Sequence, residues 1–312
     1  MTASSRLIFT GNVIVDIVMT IDGLPEQGGD TIASGSQMTA GGGYNVMVAA
    51  QRDGLPVVYA GQFGTGPFGD IVRRALESGG FELAQAGSEA LDSGFCVALV
   101  DSSAERTFIT SVGAEGQLDR PDLDRIALTD NDIVYVTGYS LAHPMNAVAL
   151  TGWLEDLPPV VRVITDPSPL IGELDQAVLA RVLSRTDVLS TNAREARIAT
   201  GSADLPTAAQ DLATRIRANG LVLVRDGAQG CWLAEAVADA PPVLVPGFAV
   251  KAVDTNGAGD AHTGVLAAAL ARGLAPADAA LRANAAAALA VTVAGPATAP
   301  SDVAIDELLA TR

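Results

Sequence analysis

The chain has 312 residues, 49% of them hydrophobic, enough to bury a sizeable core in one large α/β domain or two small ones. Nineteen Lys and Arg against 36 Asp and Glu give a net charge of −17, which opposes the sequence-independent attraction needed to bind nucleic acids or anionic membranes. The two cysteines, Cys96 and Cys231, lack close-spaced partners and suggest neither a disulfide framework nor a zinc site, so a reducing cytoplasm fits.

In chain order, the apolar run 6–11 ends in Gly11, as an inner strand of a parallel sheet would. Similar runs recur at 57–61, 132–138, 161–166, 187–190 and 221–225, most of them separated by segments with helical spacing such as 69–79, 174–184 and 208–220. This alternation predicts an α/β fold with a parallel sheet covered by helices. Two regions, 13–38 and 94–111, break the rhythm and read as strand pairs with turns. The stretch 265–273 has helical spacing and stops at Gly273, and the Ala-rich segment 285–294 reads as a buried helix. The run 7–19 is interrupted by Asn12 and Asp16 and lacks the layout of a secretory leader. No stretch reaches the ~18 apolar residues of a membrane span. With no internal repeat or linker, a single domain over 1–312 is expected.

Candidate chemistry falls at the ends of these runs. Asn12 and Asp16 follow the first strand, where open α/β sheets place ligands. Asp16 can accept hydrogen bonds from two sugar hydroxyls, although Asp is also common in turns. Gly41-Gly42-Gly43-Tyr44-Asn45 opens a helix. Gly64-Thr65-Gly66-Pro67-Phe68-Gly69 matches the dinucleotide fingerprint, but it does not follow the first strand of a βαβ unit, and Pro67 with bulky Phe68 suits a tight turn better than a pyrophosphate clasp. Asn192-Ala193-Arg194-Glu195 has capping-box spacing, and a lone Glu acting largely through water also suits Mg2+, which keeps several waters. Arg225-Asp226-Gly227-Ala228-Gln229-Gly230 joins two apolar runs, as a hairpin turn would.

The strongest signal is Asp254-Thr255-Asn256-Gly257-Ala258-Gly259-Asp260, a glycine-rich loop feeding a helix. Gly257, Ala258 and Gly259 leave their N–H groups uncovered where a first helical turn has no intrahelical acceptors, a place for phosphate. Lys251 is the only lysine, so charge around an anion must come from arginine, metal ions or backbone N–H groups. A carboxylate beside such a cradle repels phosphate unless it has a task, and taking a proton from an attacking hydroxyl is one for Asp260. A plain helix cap is the alternative. No Gly-x-x-x-x-Gly-Lys-Ser/Thr segment occurs, and neither His143 nor His262 stands in a hydrolase or metal motif.

In this order, 41–45, Asn192-x-x-Glu195 and 254–260 resemble the signatures of the ribokinase-like (PfkB) family of carbohydrate and nucleoside kinases, and the likeness covers essentially the whole chain. The resemblance implies a three-layer α/β sandwich with a mostly parallel central sheet and a small β-strand lid inserted at about 13–38 and 94–111, through which relatives often dimerise. It implies ATP-dependent phosphorylation of a sugar or sugar-like alcohol, with Asp260 as base and the 257–259 amides stabilising the transferring phosphoryl group. Asn12, Asp16, Gly41, Gly42 and Asn45 then line the substrate, and Arg106, on a lid strand, is a candidate for a substrate phosphate. Asn192, Glu195, Arg225, Gly227, Gly230, His262 and Asn284 fall on the nucleotide side, with Glu195 toward Mg2+. For His262 a packed neutral histidine is the alternative. Asp254, Asn256, Ala290 and Gly295 are candidate positions for K+. Departures from the pattern are Gly42, where ribokinases proper usually carry Lys, Arg225, where many members have Lys or Thr, and His262, where an aromatic is common. A nucleoside kinase, or a non-catalytic sensor on the same scaffold, is the alternative, and the intact Asp260 argues against the sensor. Which acceptor is used stays open, because fold does not fix function.

Overall fold

Apolar runs flanked by glycine and polar residues form short strands throughout the computed structural model, which describes residues 5–103, 105–237 and 240–311. Among these the strands are β1 Leu7–Phe9, β2 Val13–Thr20, β3 Gly35–Gly42, β4 Val57–Tyr59, β5 Glu82–Leu83, β6 Phe95–Val100, β7 Arg106–Ser111, β8 Ile133–Thr137, β9 Arg162–Asp166, β10 Val188–Asn192, β11 Leu221–Arg225, β12 Gly230–Glu235 and β13 Val243–Pro246. The helices are α1 Tyr44–Arg52, α2 Pro67–Ser78, α3 Arg120–Asp124, α4 Gly138–Leu141, α5 Pro144–Asp156, α6 Gln176–Arg185, α7 Ala193–Thr200, α8 Leu205–Ala213, α9 Ala258–Ala271, α10 Pro276–Ala290 and α11 Asp302–Leu309.

The main sheet runs β13-β12-β11-β10-β9-β8-β1-β4-β5. It is parallel from β5 to β11, with Leu7 of β1 registered between Val57 and Ile133, and ends in the antiparallel β12 and β13. Successive residues of a strand point to opposite faces. Leu7 and Phe9 accordingly join one core, with residues of α1, α2, α9 and α10, while Ile8 joins the other, with residues of α3, α5, α6 and α8. The expected three layers result. A second sheet, β3-β2-β6-β7, is built from the two stretches that broke the helical rhythm. Its β3 continues past the anticipated limit at 38 to Gly42, because the strand runs almost directly into α1.

Two expected helices differ in extent. The one read at 208–220 is α8, which starts earlier because the Asp204 carboxylate accepts from the Thr207 amide with Pro206 in the first turn, and it stops at Ala213. The Ala-rich segment belongs to α10, which ends at Ala290 before a turn that places Gly295 at φ +103°.

Helix α9 is buried from Ala261 to Leu270, lying between α1 and α10. Small side chains make this possible: a β-carbon on Gly264 would collide with the Val46 carbonyl oxygen of α1. The same three helices are tied by charge. The carboxylate of Asp53, just after α1, accepts from Arg272 Nη2 at 2.7 Å and from Arg282 Nε of α10 at 3.0 Å. The two helix N-termini that carry Asn45 and Asp260 are thereby held side by side.

Candidate active site

The C-terminal ends of the parallel strands present Thr137 (β8), Asp166 (β9), Asn192 (β10) and Arg225 (β11) along one edge, with Asn12 just beyond β1. Such an edge is where open α/β sheets bind ligands. Above it stands the N-terminus of α9. Its N-cap, Gly257, has φ +73°, a conformation that costs glycine little and other residues more, and it starts a first turn whose amides have no intrahelical acceptors.

Asp260 lies in that first turn. Its Oδ2 accepts a hydrogen bond from Asn45 Nδ2 at 2.9 Å, while Asn45 Oδ1 accepts from the Ala297 amide at 2.9 Å. The resemblance gave Asn45 a substrate hydroxyl; its visible work is to orient Asp260. Burial pushes the Asp260 carboxyl above its usual range, and the charge of Asp166 adds to this against Asn45 and Arg225. Asp16, on β2 of the small sheet, faces the same space. Its carboxyl lies so close over Gly41 that a β-carbon there would overlap it. Burial, and then the charge of Asp260, push Asp16 up to about 6. Gly42 turns at φ +62° beside the Asn12 carbonyl. The Asn12 side-chain oxygen accepts from Ser140 Oγ at 2.8 Å, so its Nδ2 group is not used in that bond.

Beneath α9 sits Arg225. Its Nη1 donates to Asp166 Oδ2 at 3.2 Å and Thr263 Oγ1 at 2.9 Å, its Nη2 lies 3.8 Å from Glu195 Oε2, and its guanidinium carbon is 3.5 Å from where a Gly259 β-carbon would stand. Burial works against this charge, and Asp166 and Glu195 outweigh it, so the guanidinium stays charged under the helix N-terminus. Glu195 forms the capping box: Oε2 accepts from the Asn192 amide at 2.8 Å and Oε1 from Asn192 Nδ2 at 2.6 Å. Burial and Asp166 raise its carboxyl above the usual range. Asp166, Ser190, Thr263, Ser140 and Tyr139 were not singled out from sequence. Asp166 closes the apolar run 161–166, the signal that drew attention to Asn12 at the end of the first run.

Several expected contacts are placed differently. His262 is 2% exposed, and burial, with Arg225, pushes its imidazole down to about 3, which keeps it neutral, the packed histidine that was the alternative. Asn284 is also buried and donates to the Val245 carbonyl at 3.0 Å, bracing β13. Gly227 and Gly230 form the turn between β11 and β12, Gly227 at the surface and Gly230 buried against β13. Arg106 Nη2 lies 3.3 Å from Asp254 Oδ1, where it bridges the small sheet to the loop before α9. Asp254 Oδ2 accepts from the Gly295 amide at 3.2 Å, the Ala290 carbonyl accepts from Thr298 Oγ1 at 3.1 Å, and Asn256 is exposed. The 64–69 decoy is resolved by Asp92, whose carboxylate accepts from the amides of Phe68 at 3.0 Å and Gly69 at 2.7 Å. The N–H groups a pyrophosphate would need are already used. No helix among the described residues is long and apolar enough to cross a membrane.

A parallel sheet with a glycine-led helix N-terminus and a carboxylate in its first turn has the layout of a phosphotransferase. The model of the pfkB family carbohydrate kinases matches residues 4–303, and the chain belongs to that family. On that membership it is a kinase whose acceptor is a hydroxyl of a sugar or nucleoside. It is 32% identical over 290 residues to the uncharacterized sugar kinase YegV of Escherichia coli (strain K12), covering 91% of this chain and 88% of the relative. It is 31% identical to the ATP-dependent ribose-1-phosphate kinase of Halopiger xanaduensis, covering 82% and 81%. In fold it is similar to the ribokinase of Arabidopsis thaliana complexed with ribose and ATP, with a TM-score of 0.79 at 23% identity over 98% of this chain and 99% of that one.

Proposed function

We propose that the protein transfers the γ-phosphoryl group of ATP to a hydroxyl of a sugar or sugar-like alcohol, with Asp260 as general base. The carrying observation is the placing of Asp260 in the first turn of α9, oriented by Asn45 and facing Asp16 across the crevice. A carboxyl raised above its usual range is a better proton acceptor than an ordinary one and needs only to be ionised at working pH. Asp16 and Asn12 take the acceptor hydroxyls. The amides of the α9 first turn, with Arg225 beneath them, suit the charge that develops on a transferring phosphoryl group. The residues fit the expected nucleotide and metal: the first turn of α9 has amides without intrahelical acceptors, and the carboxylates of Asp166 and Glu195 gather around Arg225 beside it. Among the described residues no group of three or more His, Cys, Asp or Glu could hold a metal by itself, which suits Mg2+ held through Glu195, water and the phosphates. When bound, Mg2+ supplies charge neutralisation at those phosphates. ATP as donor is supported by the name of the Halopiger relative.

The test is ADP release with Mg·ATP against ribose, deoxyribose, fructose, adenosine and ribose 1-phosphate. Turnover with at least one acceptor, well above the rate without any, is expected. Saturable ATP binding with no acceptor-dependent turnover would instead favour a sensor.

A further inference from the structure

Tyr139 is half exposed at the C-terminal edge of the parallel sheet, within the field of Asp260, Asp166 and Glu195, an unusual setting for a large aromatic, and the surrounding structure fixes its position. It follows β8, between Asn12 beyond β1 and Asp166 at the end of β9. Its neighbours lock the turn on both sides. Ser140 Oγ has its single proton shared between the Thr10 carbonyl at 3.0 Å and Asn12 Oδ1 at 2.8 Å, and Gly138 packs so tightly on the Pro167 carbonyl that a β-carbon would collide with it. Thr137 Oγ1 caps the turn by accepting from the Ser140 amide at 3.1 Å. A bonded, tightly packed turn thus holds an aromatic ring half of whose surface is open to solvent.

Charge in the crevice narrows what can meet that ring. The charges of Asp260, Asp166 and Glu195 act on its hydroxyl, Arg225 is committed to Asp166, Thr263 and Ser190, and Arg106 is paired with Asp254. Burial raises the Tyr139 hydroxyl above its ordinary range, and Asp260, Asp166, Glu195 and Cys96 push the same way, so it stays protonated and adds no charge. Carboxylates that accept from hydroxyls beside an aromatic face that covers C–H groups or a flat ring are suited to a neutral, hydroxyl-rich ring. A second phosphate on the acceptor would meet mainly negative charge.

We propose that Tyr139 determines acceptor specificity, its ring stacking on an uncharged ring-shaped alcohol whose hydroxyls are held by Asp16 and presented to Asp260. This rests on the kinase reading above and goes beyond it by naming the contact and the charge class of the acceptor. It separates this chain from the relative named for ribose 1-phosphate.

The experiment compares the parent with Tyr139→Phe and Tyr139→Ala. Isothermal titration measures binding of ribose, fructose, adenosine and ribose 1-phosphate, and steady-state assays give KM and kcat for each. The expected result is a rise in KM and Kd of about tenfold or more for the best neutral acceptor in the Ala variant, with kcat and Mg·ATP affinity within threefold of the parent and the Phe variant close to the parent. A structural role alone would lower kcat and ATP affinity together. Adenosine as best acceptor would place a base on the ring, and ribose or fructose a sugar face; either supports stacking. Unchanged KM in the Ala variant, equal damage by Phe and Ala, or ribose 1-phosphate as best acceptor would overturn the inference while leaving the kinase intact. Ring-dependent binding without turnover in the parent would sustain the stacking and remove the kinase.

Discussion

At the scale of single residues, the site keeps a carboxyl in a costly state. Asp16 titrates at about 6 in the folded chain, against ~3.9 for an unperturbed Asp. A raised folded value means a stabilising contribution that is complete below the unfolded value and is lost as pH rises through about 6. Removing the ionisable group should therefore stabilise the free protein only on the alkaline side. Asp16→Asn is expected to melt higher than the parent at pH 8 and no higher at pH 4, while its KM for the acceptor rises at least about tenfold, since a hydroxyl loses a charged acceptor. Melting curves and kinetics at the two pH values check this, and an Asn variant less stable than the parent at pH 8 would contradict it. Asp16 and Asp260 were legible in the sequence because polar residues interrupting an apolar run or closing a glycine loop have few structural reasons to be there. A motif position does not say which way a helical side chain turns, and the burial of His262 and Asn284 had no signal of its own in the sequence. The pairing of Arg225 with Asp166 joins residues 59 apart in sequence and has no local pattern to reveal it.

At the scale of elements, the bond between Asn45 and Asp260 depends on how closely α1, α9 and α10 approach. Asp53 is fully buried and is the shared acceptor for Arg272 and Arg282, the latter itself 8% exposed at its side chain. Removing one partner of a buried ionic group strands the others, at ~3–5 kcal/mol. Asp53→Ala should lose stability of that order in denaturant unfolding, and a loss under ~1 kcal/mol would show that the clamp carries little. The strands of the parallel sheet were legible from their apolar runs, and the capping box from its spacing. The Gly64–Gly69 decoy was only half legible: Pro67 and Phe68 argued against a pyrophosphate clasp, but the carboxylate that occupies its amides, Asp92, comes from a loop 23 residues further on.

At the scale of the whole molecule, the small sheet leaves β7 as an edge strand whose Phe108 and Ile109 are exposed. Unpaired hydrophobic edges invite a partner. We propose that two copies pair through this sheet, so sedimentation should give a dimer and Phe108→Glu a monomer; a parent that sediments as a monomer at all accessible concentrations would end that reading. The layered fold followed from the alternation of runs and the resemblance together, whereas the approach of Asp16, on the small sheet, to Asp260, at the start of α9, joins residues far apart in the chain and has no local pattern to reveal it. That meeting is the centre of the account, and Asp260→Asn tests it most directly. Asn keeps the size and the capping capacity of Asp but cannot take the proton. With Mg·ATP and the best acceptor, kcat should fall by at least ~10², the lower bound for loss of a general base, while ATP affinity holds or tightens. A folded Asp260→Asn protein that turns over within a few-fold of the parent would contradict the proposed mechanism.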